Sequence, residues 1–388
     1  MMKCLGNKFY KPGKLGTSCR LVLPMLVTVL LCLAGQVSLF AEDISTRNQF
    51  SMGLTGYGDS TLPDLDLGVR WQSDLKITHP LTSSIDLSLE LSTQSAVTYT
   101  RDNHLNQTVI TSDLYRCLLK LENPQTELRA GLQRLNFGTA QILRPLQWFD
   151  SLVPLDALEQ TGGVEALLIR HYFPNNSNLW LWGMLADDKL KGNELFLSKA
   201  DTPELGGRYQ FPNPLGESAI SFHTRELSGD MEREYRLGLD HRLDSFIGAW
   251  FEVSGSYLGK RSDTATKANS DYTLRTAATI GADYTVGIGN GLAITIEHMS
   301  MMQGENAVDK LRTMGNLSAL MASYPLGLLD NALLVGMWNW TDDTGSVNIV
   351  WRRAYDYLSM ELRLGLDSGI PAVISRSPSL GFNLIYNL

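Results

Sequence analysis

The side chains best suited to chemistry are scattered along this chain rather than grouped. Six histidines (His79, His104, His171, His223, His241 and His298) show no HExxH spacing, the arrangement that puts two imidazoles on one helix face for zinc. Ser73 and Lys76 spell SxxK, but without the companion motifs of a serine acylase and inside a strand-like stretch. Gly287, Gly289 and Gly291 are followed by no helical pattern, so they read as a tight turn and not as a phosphate loop. His223 near Ser221 and His298 near Ser300 keep a serine–histidine pair formally open, with a rim residue meeting water as the plainer reading. No cofactor and no metal are expected. One constellation is concentrated: Gly138 to Gly163 reads GTAQILRPLQWFDSLVPLDALEQTGG and sets Arg144, Asp150, Asp156 and Glu159 among Pro145, Trp148, Phe149 and Pro154. It is too long for an ordinary connection and too apolar for a flexible linker.

What could position such a segment depends first on the ends of the chain. Residues 1–41 carry no acid, five basic residues and an apolar run from Leu21 to Ala34. That pattern predicts a secretory signal peptide cut after Ala41, leaving residues 42–388 as the mature protein. Without the signal, 28 basic residues stand against 41 acidic ones, a balance of −13 that argues against nucleic acid as a partner. Cys4, Cys19 and Cys32 leave with the signal, so Cys117 has no partner for an intrachain disulfide. No later stretch offers the apolar length of a spanning helix.

The remaining signal is alternation. Leu65, Leu67, Val69, Trp71, Leu75 and Ile77 share one parity, and Asp66, Gly68, Arg70, Gln72, Asp74 and Lys76 the other. In a strand these sets face opposite sides, one apolar and one wet. The pattern recurs at Ile85 to Tyr99, Tyr235 to Leu239, Ile247 to Val253, Leu274 to Tyr284 and Leu358 to Leu366. Many runs are about 9 to 13 residues, enough to cross a bilayer at a tilt and longer than the roughly 5 or 6 usual in soluble sheets. Short turns such as Asn123 to Thr126 and Asn213 to Gly216 alternate with long polar stretches at Arg101 to Ser112, Gly259 to Ser270 and Gln303 to Arg312. The expected fold is therefore all-β: a closed antiparallel transmembrane barrel of about eighteen strands, with sixteen as the alternative count.

The last residues, Leu380, Phe382, Leu384, Tyr386 and Leu388 alternating with Gly381, Asn383, Ile385 and Asn387, resemble the closing strand of Gram-negative outer-membrane barrels, although that family usually ends in Phe or Trp. The insert, between a fifth strand at Glu127 to Phe137 and a sixth at Val164 to Phe173, resembles the constriction loop of porins. That resemblance implies a bacterial outer-membrane location, outer-membrane lipids and small polar solutes as partners, and allows a homo-trimer. Gly131, Gln133, Arg134, Phe137, Gly138, Pro145 and Asp150 also resemble a strand-end pattern of alginate-export-like barrels.

Two further expectations concern the interior. Trp180, Trp182 and Met184, with Leu167 and Ile169, break the alternation as if something packs inside, and Trp148, Phe149, Leu152 and Leu155 are the candidates; Leu155 to Gln160 could form a short helix. Basic residues Arg116, Lys120, Arg129, Arg208, His223, Arg225 and Arg236 lie on the wet parity, as do Asp86, Glu90, Glu204, Glu234, Glu252, Glu297 and Glu361. A basic ladder facing Asp150, Asp156 and Glu159 would set a transverse field across a narrow waist; a mixed, solvated lumen is the alternative. The expected function is a channel for passive or substrate-selective diffusion. A non-conducting barrel for adhesion, assembly or surface anchoring is the runner-up, and a barrel enzyme third.

Overall fold

A computed structural model describes residues 43–58, 64–102, 105–151, 161–187, 189–229, 231–260, 273–304, 311–368 and 378–388. The predicted signal peptide, Asp156, Glu159, Leu152, Leu155 and the predicted short helix lie outside these residues.

Eighteen strands close on themselves. They are β1 (Asp43–Tyr57), β2 (Asp64–Thr82), β3 (Ile85–Asp102), β4 (Leu105–Glu122), β5 (Thr126–Gln133) and β6 (Val164–Tyr172). Next come β7 (Asn178–Leu185), β8 (Pro203–Asn213), β9 (Gly216–Glu226), β10 (Met231–Asp244), β11 (Gly248–Lys260) and β12 (Leu274–Val286). The last are β13 (Leu292–Gly304), β14 (Arg312–Pro325), β15 (Asp330–Asn339), β16 (Thr344–Ala354), β17 (Leu358–Ser368) and β18 (Ser379–Asn387). Each strand pairs antiparallel with its sequence neighbours, and β1 closes the ring on β18 with Phe50 opposite Tyr386. Closure leaves no strand edge, the condition for holding a sheet in hydrocarbon, where an unpaired backbone group costs several kcal/mol.

The two faces separate as the alternation requires. Ile280 is 65% exposed while its neighbour Thr279 is 0%, and Ile296 is 56% exposed beside Glu297 at 0%. Apolar side chains lie outward, toward lipid; the inward parity is polar or packed against chain inside the ring. Among the described residues there is no helix.

Four details depart from expectation. Arg101 to Ser112 is mostly not loop: β3 and β4 stay paired from Ser95–Ser112 out to Asp102–Leu105. Above the bilayer both faces are wet, so the apolar alternation stops while backbone pairing of Thr, Gln and Val continues. The fifth strand ends at Gln133, four residues early, just beyond Gly131, whose φ of +121° no side chain tolerates well. Leu135 and Phe137 then turn into the interior, 1% and 6% exposed. Finally, Leu167 and Ile169 face outward, and it is Leu168 that is buried; in a strand apolar on both sides, composition does not choose the face. Thr344–Ala354 forms a regular strand, and Asn193 to Ser198 lies in an outer connection with one isolated bridge, Ser198 to Leu227.

An arginine on the lipid face tests this orientation. Ile280→Arg, at the centre of β12, is expected to destabilise the barrel in vesicles by about 2–4 kcal/mol, read by equilibrium unfolding of the tryptophan signal. A cost under about 0.5 kcal/mol, the usual size at a water-exposed surface, would place that face in water.

Candidate functional site

The described stretch 134–151 of the connection from β5 to β6 runs inside the ring. Two carboxyl groups on the inner wall receive it through its backbone. Glu252 on β11 accepts the N–H groups of Thr139 and Ala140, both at 2.9 Å, and of Leu146 at 2.6 Å. Glu297 on β13 accepts those of Gln141 at 2.7 Å, Ile142 at 3.0 Å and Leu143 at 2.5 Å, with the Trp250 indole N–H at 3.0 Å. Both carboxyl groups are wholly buried. Successive N–H groups converging on one acceptor form an anion-binding concavity, here filled by the barrel's own side chains. The Leu143 carbonyl accepts from Thr279 at 2.8 Å, and the Trp148 indole donates to Ser254 at 2.9 Å.

Gly138 makes the entry sterically feasible. Its φ is +105°, and a Cβ there would lie 2.4 Å from the Glu252 carboxyl. Beyond it, Phe137, Leu146, Trp148 and Phe149 pack with Val164, Leu168, Trp182 and Met184 in one buried cluster. Phe149 meets Trp182 edge to face with ring centres 5.7 Å apart. The expected packing of Trp148 and Phe149 against Trp182 and Met184 is present. On the far side Ile142 and Leu143 rest on Ala319 of β14, among Met299, Leu317, Met321 and Met337.

Of the charged residues of the segment, the described ones, Arg144 and Asp150, pair with each other. Arg144 forks onto Asp150 at 2.7 and 3.2 Å and also donates to the Phe137 carbonyl, and Asp150 is 1% exposed. This pair clamps the segment on itself. Arg208, His223, Arg225 and Arg236 do point inward, but each is buried against acids. Arg208 forks onto Asp240 at 2.6 and 2.8 Å. Arg225 reaches Glu234 at 2.5 Å and Glu194 at 2.9 Å, while Arg236 meets Glu234 at 2.8 Å. His223 accepts from the Trp182 indole at 3.3 Å and lies 3.4 Å from Glu204, which also takes Lys191 at 2.9 Å. Parity puts Glu204 and Glu234 on the same side as these basic residues; it does not contain Asp240 as their partner, Glu194 arriving from an outer connection, or the pairing itself. The outer connection between β7 and β8 completes this cover: Asn193 donates its backbone N–H to Gln147 and its side-chain amide to Pro145. Burial lifts the carboxyl of Glu194, in that connection, above its ordinary range, against the pull of Arg236, Arg225 and Lys191.

The other three basic residues lie on β4 and β5. Arg116 donates to the Thr161 carbonyl at 2.9 Å, Lys120 pairs with Glu122 at 2.7 Å, and Arg129 pairs with Glu127. Farther round the ring the inner wall is wet: the side chains of Lys76 on β2 and Arg352 on β16 remain 45% and 44% exposed. The serine–histidine pairs dissolve on inspection. Ser221 takes a hydrogen bond from Arg208, His298 bonds Ser318 on the outward face, and Ser300 bonds Asn316. Ser73 and Lys76 stand on opposite faces of β2. Among the described residues no group of three His, Cys, Asp or Glu is placed to hold a metal ion.

No family model matches the sequence, and no curated protein matches it. Solved structures do. OccK5 (OpdH) of Pseudomonas aeruginosa superposes over 90% of this chain and 99% of its own, with a TM-score of 0.59 at 11% identity. OccAB4 of Acinetobacter baumannii gives 0.57 at 10%, over 90% of this chain and 98% of its own. OmpF of Salmonella typhi, solved in complex with daunomycin, gives 0.52 at 9%, over 90% and 98%. At such identities the likeness is one of fold, and the fold is that of a porin-like outer-membrane barrel.

Glu297→Ala leaves three backbone N–H groups and an indole N–H without their acceptor, a loss of about 1–3 kcal/mol for each group that finds no other. Amide exchange at Gln141, Ile142 and Leu143 is expected to quicken by at least about a hundredfold, with Glu361→Ala, whose carboxyl group bonds Arg352, Arg363 and Asn383 and none of the segment's described residues, leaving it unchanged. Equal protection in both variants would remove Glu297 from the anchoring of the segment.

Proposed function

We propose that this chain is an outer-membrane channel for passive or substrate-selective diffusion of small polar or charged solutes, with residues 138–163 as its waist. The observation that carries the reading is the asymmetry of the interior. The insert is fixed by its backbone to the inner wall of β11 to β13 and seals the lumen on the side of β6 to β11. The wall from β16 round to β4 keeps charged side chains in contact with water, as an aqueous path requires and a filled core does not. In this reading Arg144 and Asp150 stiffen the waist rather than polarise it. Arg116, at its edge, and the mixed charges Lys76, Glu90 and Arg352 on the wet wall meet the solute. The barrel supplies a passage and no chemistry, and needs no cofactor.

Single-channel recording on the refolded mature chain in a planar bilayer tests this, repeated with Gly138 to Gly163 shortened. Discrete current steps are expected, growing on shortening. Silence in both proteins would overturn the channel reading in favour of a closed barrel whose outer loops hold a partner.

A further inference from the structure

The inner wall under the tip of the insert is built from thioethers. Six of the 13 methionines fall between residues 299 and 337. Met299 on β13, Met321 on β14 and Met337 on β15 surround Ala319, on which Ile142 and Leu143 rest. The register puts Ala319 directly between Glu297 and Met337. The seat is thus one strand from the carboxyl that holds the tip by three N–H groups. All three methionines are half-buried on an inward face. Leucine would fill the same space with a stiffer, chemically inert side chain, whereas methionine is the one apolar side chain that oxidises under mild conditions.

We infer that Met299, Met321 and Met337 are an oxidation site that loosens the tip of the insert when hydrogen peroxide enters the lumen. A thioether lone pair attacks one peroxide oxygen; the O–O bond breaks, the sulfide becomes a sulfoxide, and the peroxide is reduced to water. The new S–O dipole faces Leu317, Ala319, Ile142 and Leu143, whose side chains have no donor to offer it. It therefore turns to lumen water and withdraws the apolar support of the tip. The bonds to Glu252 remain, so release is confined to the stretch around Gln141 to Leu143. The link from this loosening to a wider passage rests on the proposed role of the insert as the waist.

The test treats the full mature chain in detergent micelles with hydrogen peroxide, then reads peptide masses and amide exchange. One added oxygen is expected at each of the three methionines, with exchange at Gln141 to Leu143 rising at least about tenfold. Methionine sulfoxide reductases of both epimer specificities should restore protection. The combined M299L, M321L and M337L protein should show ordinary protection that peroxide leaves unchanged. Absence of oxidation at these sites while free methionine in the same solution is consumed would overturn the inference. So would full oxidation without faster exchange, or an equal response in the leucine protein. Mass and exchange decide the matter even in a protein that passes no current, so this inference and the channel reading fail separately.

Discussion

The interior depends on two carboxyl groups, Glu252 and Glu297, each holding three backbone N–H groups of the insert. A ring of eighteen strands is too wide for its own side chains to fill. Anything that narrows it must bring irregular backbone inside, and irregular backbone brings N–H groups that the sheet cannot pair. A buried carboxyl group has the opposite difficulty, since it loses water and needs donors. Each solves the other's problem, and the geometry follows. Gly138 is required where the chain passes against Glu252, and the tip must lie where Glu297 can reach three successive amides.

From that anchoring the charge distribution of the lumen follows. Holding the insert against β11 to β13 roofs over the inward side chains of β8 to β10, among them Arg208, His223, Arg225 and Arg236. The roofed guanidinium groups cannot stay hydrated, so each is matched with an acid. Glu194 and Lys191 are delivered for this from the outer connection, which is itself pressed against the insert at Gly192, where a Cβ would lie 2.3 Å from the Gln147 carbonyl. An apparent basic ladder becomes a neutral, rigid filling. The charges that remain in water are those on the uncovered wall, where Arg352 and Arg363 share the buried Glu361.

Much of this was legible because the governing constraint is local. Lipid on one side and water or packed chain on the other imposes period two on every strand, so Leu65 to Ile77 and Leu274 to Tyr284 announce both strand and face without reference to the rest of the chain. The same logic placed the insert, since Trp180, Trp182 and Met184 on the wet parity demand apolar company inside. What the pattern does not contain is pairing. Arg225 and Glu234 are both on the inward parity, but it is the register of β9 against β10 that sets them opposite each other, at 2.5 Å. Glu252 and Glu297 read as two acids among many, because nothing in strand periodicity says that a distant backbone will arrive to meet them. Where a strand is apolar on both faces the pattern is silent even about direction, as Leu167, Leu168 and Ile169 demonstrate.

Anchoring through backbone amides has a further consequence for how such a waist can vary. Thr139, Ala140, Gln141, Ile142 and Leu143 are held by N–H groups that every residue except proline possesses. The side chains of Thr139 and Gln141 are thereby relieved of the work of docking, whereas those of Ile142 and Leu143 also rest on Ala319. Gln141, whose amide reaches Asp283 at 3.2 Å, contributes little to the anchoring that another polar residue could not. Gly138 is the exception, because its conformation and its clearance from Glu252 both exclude a side chain. A lumen organised this way separates two requirements that a side-chain-docked loop would have to meet together. The wall's carboxyl groups fix where the insert lies, and its exposed side chains, Gln141 among them, remain free to change what it presents to a solute.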